Sequence, residues 1–296
     1  MRIRNSTSCD MTLTLSCNNK CLFCPRKDFL KWIVCGSWKE IVREIKDVSR
    51  RSRKIVLTGG EVTVYPGLFR VLNICRKVFR DIEIISNGRK MKETAFLDKL
   101  IGSGANAFAI SIYSLSDAVH DTITGVKGSC RETKKGILNL IKARKTRRIT
   151  IRINTTLSAG NALHAVDMIK KLYLLGIRDF IIAEEIILNK RRKALDLQGI
   201  RKALEDVSRL KFRDIRIVLK GFPPCLVRDL RNPFIRYEPY GLESCIKKGW
   251  RQEKYTERFR GNFAKLKKCS GCSLDKHCPG FQKYYPDAGR FIRPVS

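Results

Sequence analysis

Short apolar runs alternate with longer amphipathic segments between residue 11 and about residue 219. The short runs are rich in β-branched residues and have polar or glycine-containing flanks, which is typical of buried parallel strands. The longer segments have the apolar spacing of helices that bury one face. The pattern predicts strands at 12–15, 55–58, 82–86, 108–113, 150–155 and 180–183, and helices at 38–48, 67–78, 94–101, 131–142 and 162–175.

Six alternations of strand and helix predict an α/β fold, in which right-handed crossovers join parallel strands. An open or closed barrel is the architecture we expect, with chemistry at the carboxyl ends of the strands. A doubly wound sheet is the alternative. The periodicity stops at Gly221-Phe222-Pro223-Pro224-Cys225, and a tail rich in Pro, Gly and Cys follows. We therefore predict a core over residues 1–220 and a small Cys-rich module over residues 221–296.

The composition is that of a globular protein, with 43% hydrophobic and 30% charged residues among 296. No stretch approaches the roughly 20 apolar residues that a membrane span needs. The first residues are polar, so we expect a cytoplasmic protein without an export signal. The net charge of +33 favours polyanions. However, the basic residues are scattered along the chain, so solvation of the outer helices is an equally simple reading.

Twelve cysteines in a cytoplasmic chain indicate metal or cluster ligation, because reducing compartments keep thiols reduced. Cys17, Cys21 and Cys24 form a C-x₃-C-x₂-C run directly after the first predicted strand. Three thiolates in one loop can hold a cubane cluster and leave one iron open, as a catalytic site requires. Zinc would need a fourth ligand nearby, but the first histidine of the chain is His120.

This run, with Phe23 just before Cys24, resembles the signature of the radical S-adenosylmethionine (SAM) superfamily. The resemblance implies a partial (β/α)₆ TIM-like barrel and a catalytic [4Fe–4S] cluster on Cys17, Cys21 and Cys24. It also implies that SAM binds the open iron. An electron from a ferredoxin- or flavodoxin-like reductant protein would then cleave SAM to methionine and a 5′-deoxyadenosyl radical.

Further motifs in family order extend the resemblance to about residue 220. Gly59-Gly60-Glu61 follows the second strand and is similar to the motif that holds the amino group of SAM; a carboxylate pairs with an ammonium. The counterparts of four other residues contact the ribose or the methionine carboxylate, namely Ser86, Asn87, Ser111 and Asn154. Residues 181–183 occupy the place where relatives contact adenine. Residues 120–129 resemble a structural loop that enters a helix, with Ser129 as its cap and His120 as a less favoured acid–base residue.

A second cysteine group in the tail has the spacing C-x₂-C-x₅-C, at Cys269, Cys272 and Cys278. Cys225 could complete a four-thiolate site, and Cys245 could replace it. Both a fully ligated [4Fe–4S] cluster and structural zinc suit four cysteines, and His277 lies within the loop. The tail resembles the twitch module, a relative of the SPASM domain, which favours a second, auxiliary [4Fe–4S] cluster. The remaining cysteines are expected to be plain thiols, namely Cys9, Cys35, Cys75 and Cys130.

These features predict an enzyme that modifies a peptide or protein, because relatives with twitch or SPASM modules commonly act on ribosomally made peptides. Modification of RNA is the second hypothesis and rests on charge alone. A small anionic substrate such as a nucleotide is the third. A non-enzymatic, Cys-rich zinc protein that binds nucleic acid is the remaining alternative.

Overall fold

The computed structural model describes residues 9–24, 36–185, 197–227, 230, 232–238, 261–275, 278, 280–285 and 288–291. Eight strands form one parallel sheet in chain order: β1 (Cys9–Thr14), β2 (Lys54–Gly59), β3 (Asp81–Ser86), β4 (Ala107–Ser111), β5 (Thr150–Leu157), β6 (Asp179–Glu184), β7 (Arg216–Lys220) and β8 (Ile235–Glu238). Within the described ranges no pairing joins β1 to β8, so the sheet is an open barrel. The predicted α/β partial barrel is confirmed.

All six predicted strands are present, and β7 and β8 extend the sheet beyond them. β8 lies past residue 220 and pairs in parallel with β7, for example Val218 with Arg236. The division into a core and a Cys-rich module at residue 220 stays a prediction. No helix among the described residues is long and apolar enough to cross a membrane.

Helices cover the outer face of the sheet. They are α1 (Trp38–Ser49), α2 (Leu68–Cys75), α3 (Thr94–Gly102), α4 (Asp117–Thr124), α5 (Ser129–Arg144), α6 (Ala165–Leu174), α7 (Leu197–Ser208), α8 (Pro224–Val227) and α9 (Ala288–Phe291). α1 begins with a capping box, in which Ser37 and Glu40 bond each other's backbone N–H. The pattern did not predict α4 or α7, because their apolar positions are few or lie beside polar runs.

Ser129 is not the cap of α5, so that prediction is wrong. The cap position belongs to Gly128, whose φ of +82° suits glycine, and Ser129 is the first helical residue. The Asp121 carboxylate of α4 accepts hydrogen bonds from Gly128 N (2.5 Å), Cys130 N (2.8 Å) and Ser129 Oγ (2.9 Å). The free N–H groups of α5 are therefore capped from the neighbouring helix.

The two faces of the sheet differ in polarity. Alternate strand residues such as Leu57, Phe108 and Phe180 point outward into one apolar core with the helices and are at most 2% exposed. The opposite set faces the barrel interior and is partly charged. There, the Glu83 carboxylate pairs with Lys54 (2.5 Å) and with Arg152. A buried carboxylate needs such partners, because the burial of an unpaired charge costs on the order of several kcal/mol.

The C-terminal segment, residues 261–291, contacts the top of the barrel. It contains a small antiparallel pair, β9 (Phe263–Ala264) with β10 (Phe281–Gln282). Gln282 Nε2 donates to the carbonyl oxygen of Glu185 (2.7 Å), and Tyr285 Oη donates to Glu184 Oε1 (3.0 Å). Phe281 and Tyr285 belong to the main hydrophobic core, so the segment is anchored at the end of β6.

Candidate active site

A cavity of about 330 Å³ opens at the carboxyl ends of the strands. Its lining includes most of the predicted site residues: Cys17, Cys21, Phe23, Cys24, Gly59, Gly60, Glu61, Ser86, Asn87 and Ser111. Ala183, at the end of β6, lines the cavity as well. The structure thus gathers residues from five strand ends in one place, as parallel strands allow. Their individual roles stay predictions.

Asn154 is the predicted cofactor residue outside this lining. It pairs in register with Ser111, on the inward-facing side of β5. Its Oδ1 atom is buried, and no hydrogen-bond partner for it is present in the described part of the chain. Buried amide oxygens normally have partners, so this atom can accept a hydrogen bond from a bound molecule.

The triad loop, residues 16–24, is held by backbone bonds to α4. Lys20 N donates to Thr124 O (2.8 Å), and Leu22 N donates to Ile123 O (2.9 Å). Gly125 ends α4 with φ +65°, and a Cβ there would lie 3.2 Å from Lys20 O. Glycine therefore allows the loop to approach the helix end closely. The loop conformation depends on α4 as much as on its own sequence.

The three thiols of the triad share one environment. Burial, together with the neighbouring Cys24 and Cys17, raises the pKa of Cys21 to about 11. Three thiolates this close repel one another unless positive charge lies between them. No three potential ligands among the described residues converge around a single ion. Three cysteine thiolates in one loop are the donors that a [4Fe–4S] cluster with one open iron requires, so the donor set fits that group.

The Gly59-Gly60-Glu61 motif packs against the end of β1. Gly59 has φ +148°, and a Cβ there would lie 2.3 Å from Thr14 O, so only glycine fits. Gly60 N donates to Thr14 O (2.7 Å), and Glu61 N donates to Ser16 O (2.8 Å). The motif is therefore tied to the first residues of the triad loop.

The Glu61 side chain is 1% exposed and has four protein donors. Its Oε1 accepts from Thr63 N (3.0 Å), Thr63 Oγ1 (2.6 Å) and Ser86 Oγ (2.8 Å). Its Oε2 accepts from Asn87 N (2.7 Å). Glu61 thus joins the ends of β2 and β3, and two predicted site residues are among its partners. A direct contact with the amino group of SAM stays a prediction.

Tyr113 is a cavity residue that the sequence analysis missed. Its ring packs edge-on against Phe23 (centroids 4.8 Å apart) and stacks on His120 (5.5 Å). Its hydroxyl meets the Cys21 thiol, and burial together with that thiol raises the pKa of Tyr113 well above 10. The available signal was the inward alternation of β4, since Tyr113 is two residues after Ser111.

His120 is buried (1% exposed), and desolvation lowers its pKa to about 4. Its Nδ1 accepts a hydrogen bond from Tyr113 N (3.2 Å). The ring is therefore neutral near pH 7 and supports the backbone at Tyr113. This placement agrees with the structural role favoured for the loop.

Lys220 also lines the cavity and was not predicted. It ends β7 and faces the barrel interior beside Ala183 in register. Within the described residues no carboxylate lies within ion-pair distance of its ammonium group. It interacts electrostatically with Asp10: burial raises the pKa of that carboxyl group, and the positive charge of Lys220 opposes the shift.

The tail cysteines Cys269, Cys272 and Cys278 also lie near one another. Burial raises the pKa of Cys278, and Cys269 and Cys272 contribute to the same shift. Cys225 and Cys269 both pack against the main core. Cys245 and His277 lie outside the described residues, so the fourth ligand stays a prediction. Cys75 and Cys130 are fully buried thiols, as predicted, whereas Cys35 lies outside the described residues.

Comparison with known proteins identifies a family and several relatives. Residues 11–157 match the family model of the radical SAM superfamily. The chain is 28% identical over 171 residues to a Thermococcus kodakarensis protein named "Probable GTP 3′,8-cyclase", covering 57% of this chain and 54% of the relative. It is 24% identical over 215 residues to the sporulation killing factor maturation protein SkfB of Bacillus subtilis, covering 71% and 49%. The chain spans about half the length of these curated relatives.

The fold is similar to that of SuiB from Streptococcus suis bound to S-adenosylmethionine. The TM-score is 0.65 at 17% identity, and the alignment covers 93% of this chain and 72% of SuiB. At this identity the likeness shows the fold alone. The family match and the curated relatives point to an enzyme, which removes the non-enzymatic zinc protein from the alternatives. The chain carries a radical SAM domain and is an enzyme of the radical SAM superfamily.

Proposed function

We propose that this enzyme cleaves SAM reductively and uses the resulting 5′-deoxyadenosyl radical to abstract hydrogen from a peptide or protein substrate. The observation that carries the proposal is the single cavity where Cys17, Cys21 and Cys24 meet the Gly59-Gly60-Glu61 motif. The peptide as substrate class is supported by SkfB, a maturation protein, and by SuiB, which has been solved with its precursor peptide SuiA.

Each group of cavity residues, together with the neighbouring Asn154, has a proposed task. The triad would hold a [4Fe–4S] cluster, which supplies the electron for SAM cleavage when bound. Ser86, Asn87, Ser111 and the unpartnered Asn154 oxygen would orient SAM by hydrogen bonds. Phe23 and Tyr113 form an aromatic wall that excludes water from this side of the cavity.

The tail would hold an auxiliary [4Fe–4S] cluster on Cys269, Cys272, Cys278 and either Cys225 or Cys245. The support is the mutual proximity of the three tail thiols and the contact of the C-terminal segment with the end of β6. An auxiliary cluster there could bind substrate or accept the electron left after hydrogen abstraction. We further propose a ferredoxin- or flavodoxin-like protein as the reductant.

A nucleotide is the second candidate substrate. It is favoured by Lys220, which lines the cavity and whose positive charge can attract a phosphate. The similarity to a protein named as a GTP cyclase points the same way. RNA, a polymer of nucleotides, is a related candidate substrate, and the net charge of +33 supports it.

Anaerobic reconstitution tests the proposed chemistry directly. With dithionite, we expect the protein to convert SAM to 5′-deoxyadenosine and methionine. The triple variant Cys17→Ala, Cys21→Ala, Cys24→Ala should lose this conversion but keep its circular dichroism spectrum. Cys130→Ala removes a buried thiol outside the site and serves as the control. Conversion by the triple variant at the unaltered rate would contradict the proposal.

The substrate class needs a separate experiment. The enzyme would be co-expressed with each short open reading frame that flanks its gene, and the masses of the peptides would be measured by mass spectrometry. A mass change that requires the triad supports the peptide. If GTP instead is consumed with SAM, and Lys220→Met abolishes this, the nucleotide alternative holds.

A further inference from the structure

Between its first two cysteines, the triad loop is held by an arginine from the segment that follows β3. Arg89 Nη1 donates to the carbonyl oxygen of Asn18 (2.5 Å) and to Asn19 Oδ1 (2.8 Å). Asn87 Nδ2 adds a bond to Asn18 Oδ1 (2.6 Å). Asn18 and Asn19 lie between Cys17 and Cys21, so these bonds fix the spacing of two proposed cluster ligands.

The segment that carries Arg89 is itself rigidly mounted on α5. Thr133 Oγ1 donates to Asn87 O (2.9 Å), and Asn139 Nδ2 donates to Met91 O (3.0 Å). At Gly136 a Cβ would lie 2.2 Å from Gly88 O, so glycine lets the helix approach this closely. Because its backbone is fixed in this way, the Arg89 side chain loses little conformational freedom when it binds the triad loop.

The electrostatic balance around Arg89 is positive. Glu132 Oε2 accepts from Arg89 Nε (2.6 Å), and its Oε1 accepts from Lys92 Nζ (2.5 Å). Burial alone would raise the pKa of Glu132, but the bonds from Lys92 and Arg89 outweigh it and lower the pKa. Two cations share one carboxylate, so the group carries a net charge of +1 behind the triad loop. The Arg89 side chain is only 15% exposed, which limits screening.

We propose that Arg89 is a positioning residue for the cluster, which clamps Asn18 and Asn19 and holds positive charge close to the thiolates. The proposal rests on the proposed function, because it assumes that the triad binds a cluster. Reduction adds one negative charge to the cluster. Nearby positive charge stabilises that state and makes the cluster easier to reduce.

Two effects of Arg89 can be separated by substitution. Arg89→Gln removes both the charge and the fork of donors. Arg89→Lys keeps the charge but cannot reproduce the fork. Glu132→Gln removes a negative charge and leaves both cations in place. Arg144→Gln is the matched control, since Arg144 bonds the Gly176 carbonyl (3.0 Å) far along the chain from the triad.

Hydrogen exchange of the metal-free, full-length protein tests the clamp without any cluster. In Arg89→Gln we expect amides in residues 16–24 to exchange at least tenfold faster, with the control unchanged. Arg89→Lys should show an intermediate rate. Unchanged exchange in both variants would overturn the clamp. If Arg89→Gln does not fold, Arg89→Lys and Glu132→Gln still provide the comparison.

The reconstituted enzyme tests the charge effect by redox titration followed by electron paramagnetic resonance, using the signal that changes on SAM addition. At a fixed potential we expect the reduced-to-oxidised ratio of Arg89→Gln to fall by about tenfold, or about 59 mV for one electron. Arg89→Lys should keep the original midpoint, and Glu132→Gln should not lower it. An equal drop in Arg89→Gln and Arg89→Lys would overturn the charge effect. If the unaltered protein assembles no cluster, the proposed function fails. The hydrogen-exchange rates of the metal-free protein still test whether Arg89 holds the triad loop.

Discussion

The triad loop and the C-terminal segment each bring three cysteines together, but different contacts hold them. The triad loop is bonded to residues far away in sequence: Lys20 to Thr124, Asn18 to Asn87 and Asn19 to Arg89. In the C-terminal segment the backbone bonds around the cysteines are local. Cys269 N donates to Leu266 O, Cys272 N to Cys269 O, and Cys278 N to Leu274 O.

This difference indicates different relations between metal and folding. Long-range hydrogen bonds to α4 and to the segment after β3 preorganise the triad loop. We therefore expect the loop conformation to be independent of a bound cluster. Local turns cost chain entropy without much burial to offset it. The proposed auxiliary centre would therefore contribute more to the order of the C-terminal segment, as metals do in small metal-stabilised modules. We expect loss of metal to leave the barrel intact and to loosen the tail.

The largest expected effect is that of removing tail ligands. Cys269→Ala, Cys272→Ala should become protease-sensitive after about residue 220 while the barrel survives, because the segment loses its metal. Its iron content should fall from about eight to about four per chain, the numbers for two cubanes and one. Limited proteolysis with mass spectrometry and iron analysis measure both.

The triad triple variant is the matched control, since it should lose about four irons and keep its tail protected. If the tail centre is zinc instead, the unaltered protein should hold about four irons and one zinc. An intact tail and unchanged metal content in Cys269→Ala, Cys272→Ala would contradict the presence of an auxiliary centre.

Glu61 tests the preorganisation of the triad side. Glu61→Ala leaves four donors without their acceptor, so the free energy of unfolding should fall by about 2–4 kcal/mol. Affinity for SAM should fall by tens-fold or more while iron content is kept, as expected when a carboxylate contact worth about 2–3 kcal/mol is lost. Denaturant titration and calorimetric SAM binding measure the two effects.

Glu93→Ala, at an exposed position whose side chain makes no capping bond, is the control for Glu61→Ala. Unchanged SAM affinity with lowered stability would assign Glu61 a purely bracing role and place the amino-group contact elsewhere. Unchanged values of both would contradict the bonding around the β2 and β3 ends.

The local patterns were readable from sequence, whereas the long-range contacts were not. β-branched runs predicted six strands, and cysteine spacing with Gly59-Gly60-Glu61 predicted residues that the structure gathers around one cavity. Arg89 could not be found this way, because it is 71 residues from Asn18, and only the parallel order of β1, β2 and β3 brings the segments after β1 and β3 together. Tyr113 and Lys220 depend on register, which decides the face of a strand. β8 is short and follows an irregular segment, so its periodicity is weak.

Glu184 makes the contact between the tail and the barrel depend on pH. Burial raises the pKa of its carboxyl group from 4.5 to about 8, and hydrogen bonds from Tyr285 and Gln282 oppose this shift. The docked state therefore binds more protons than an undocked one between pH 4.5 and 8. Docking should weaken as pH rises through this window and change little above about pH 8.

Proteolysis of the tail in reconstituted enzyme measures this effect between pH 5.5 and 8.5. The cleavage rate, corrected with an unstructured peptide at each pH, should increase by up to about tenfold per pH unit. Glu184→Gln should be flat across the range, because its amide does not ionise. Glu205→Gln, in a half-buried pair with Arg201 on α7, should behave as the unaltered protein. A pH profile that survives in Glu184→Gln would assign the titration to another group.

The smallest effect concerns Tyr113, whose hydroxyl lowers the pKa of Cys21 against the stronger opposing effect of burial. Tyr113→Phe keeps the ring packed on Phe23 and His120 but removes this hydroxyl, so stability should change by about 1 kcal/mol or less. The pKa of Cys21 should rise, and its alkylation by iodoacetamide in metal-free protein should slow several-fold near pH 8, because only the thiolate reacts.

Tyr65→Phe, outside the cavity lining, is the control for Tyr113→Phe. Mass spectrometry gives the rate at each cysteine, so Cys269 and Cys272 in the same sample report whether the change is confined to the triad. Equally slowed alkylation of the tail thiols would indicate a change in the whole protein. It would contradict a specific effect of Tyr113 on the triad.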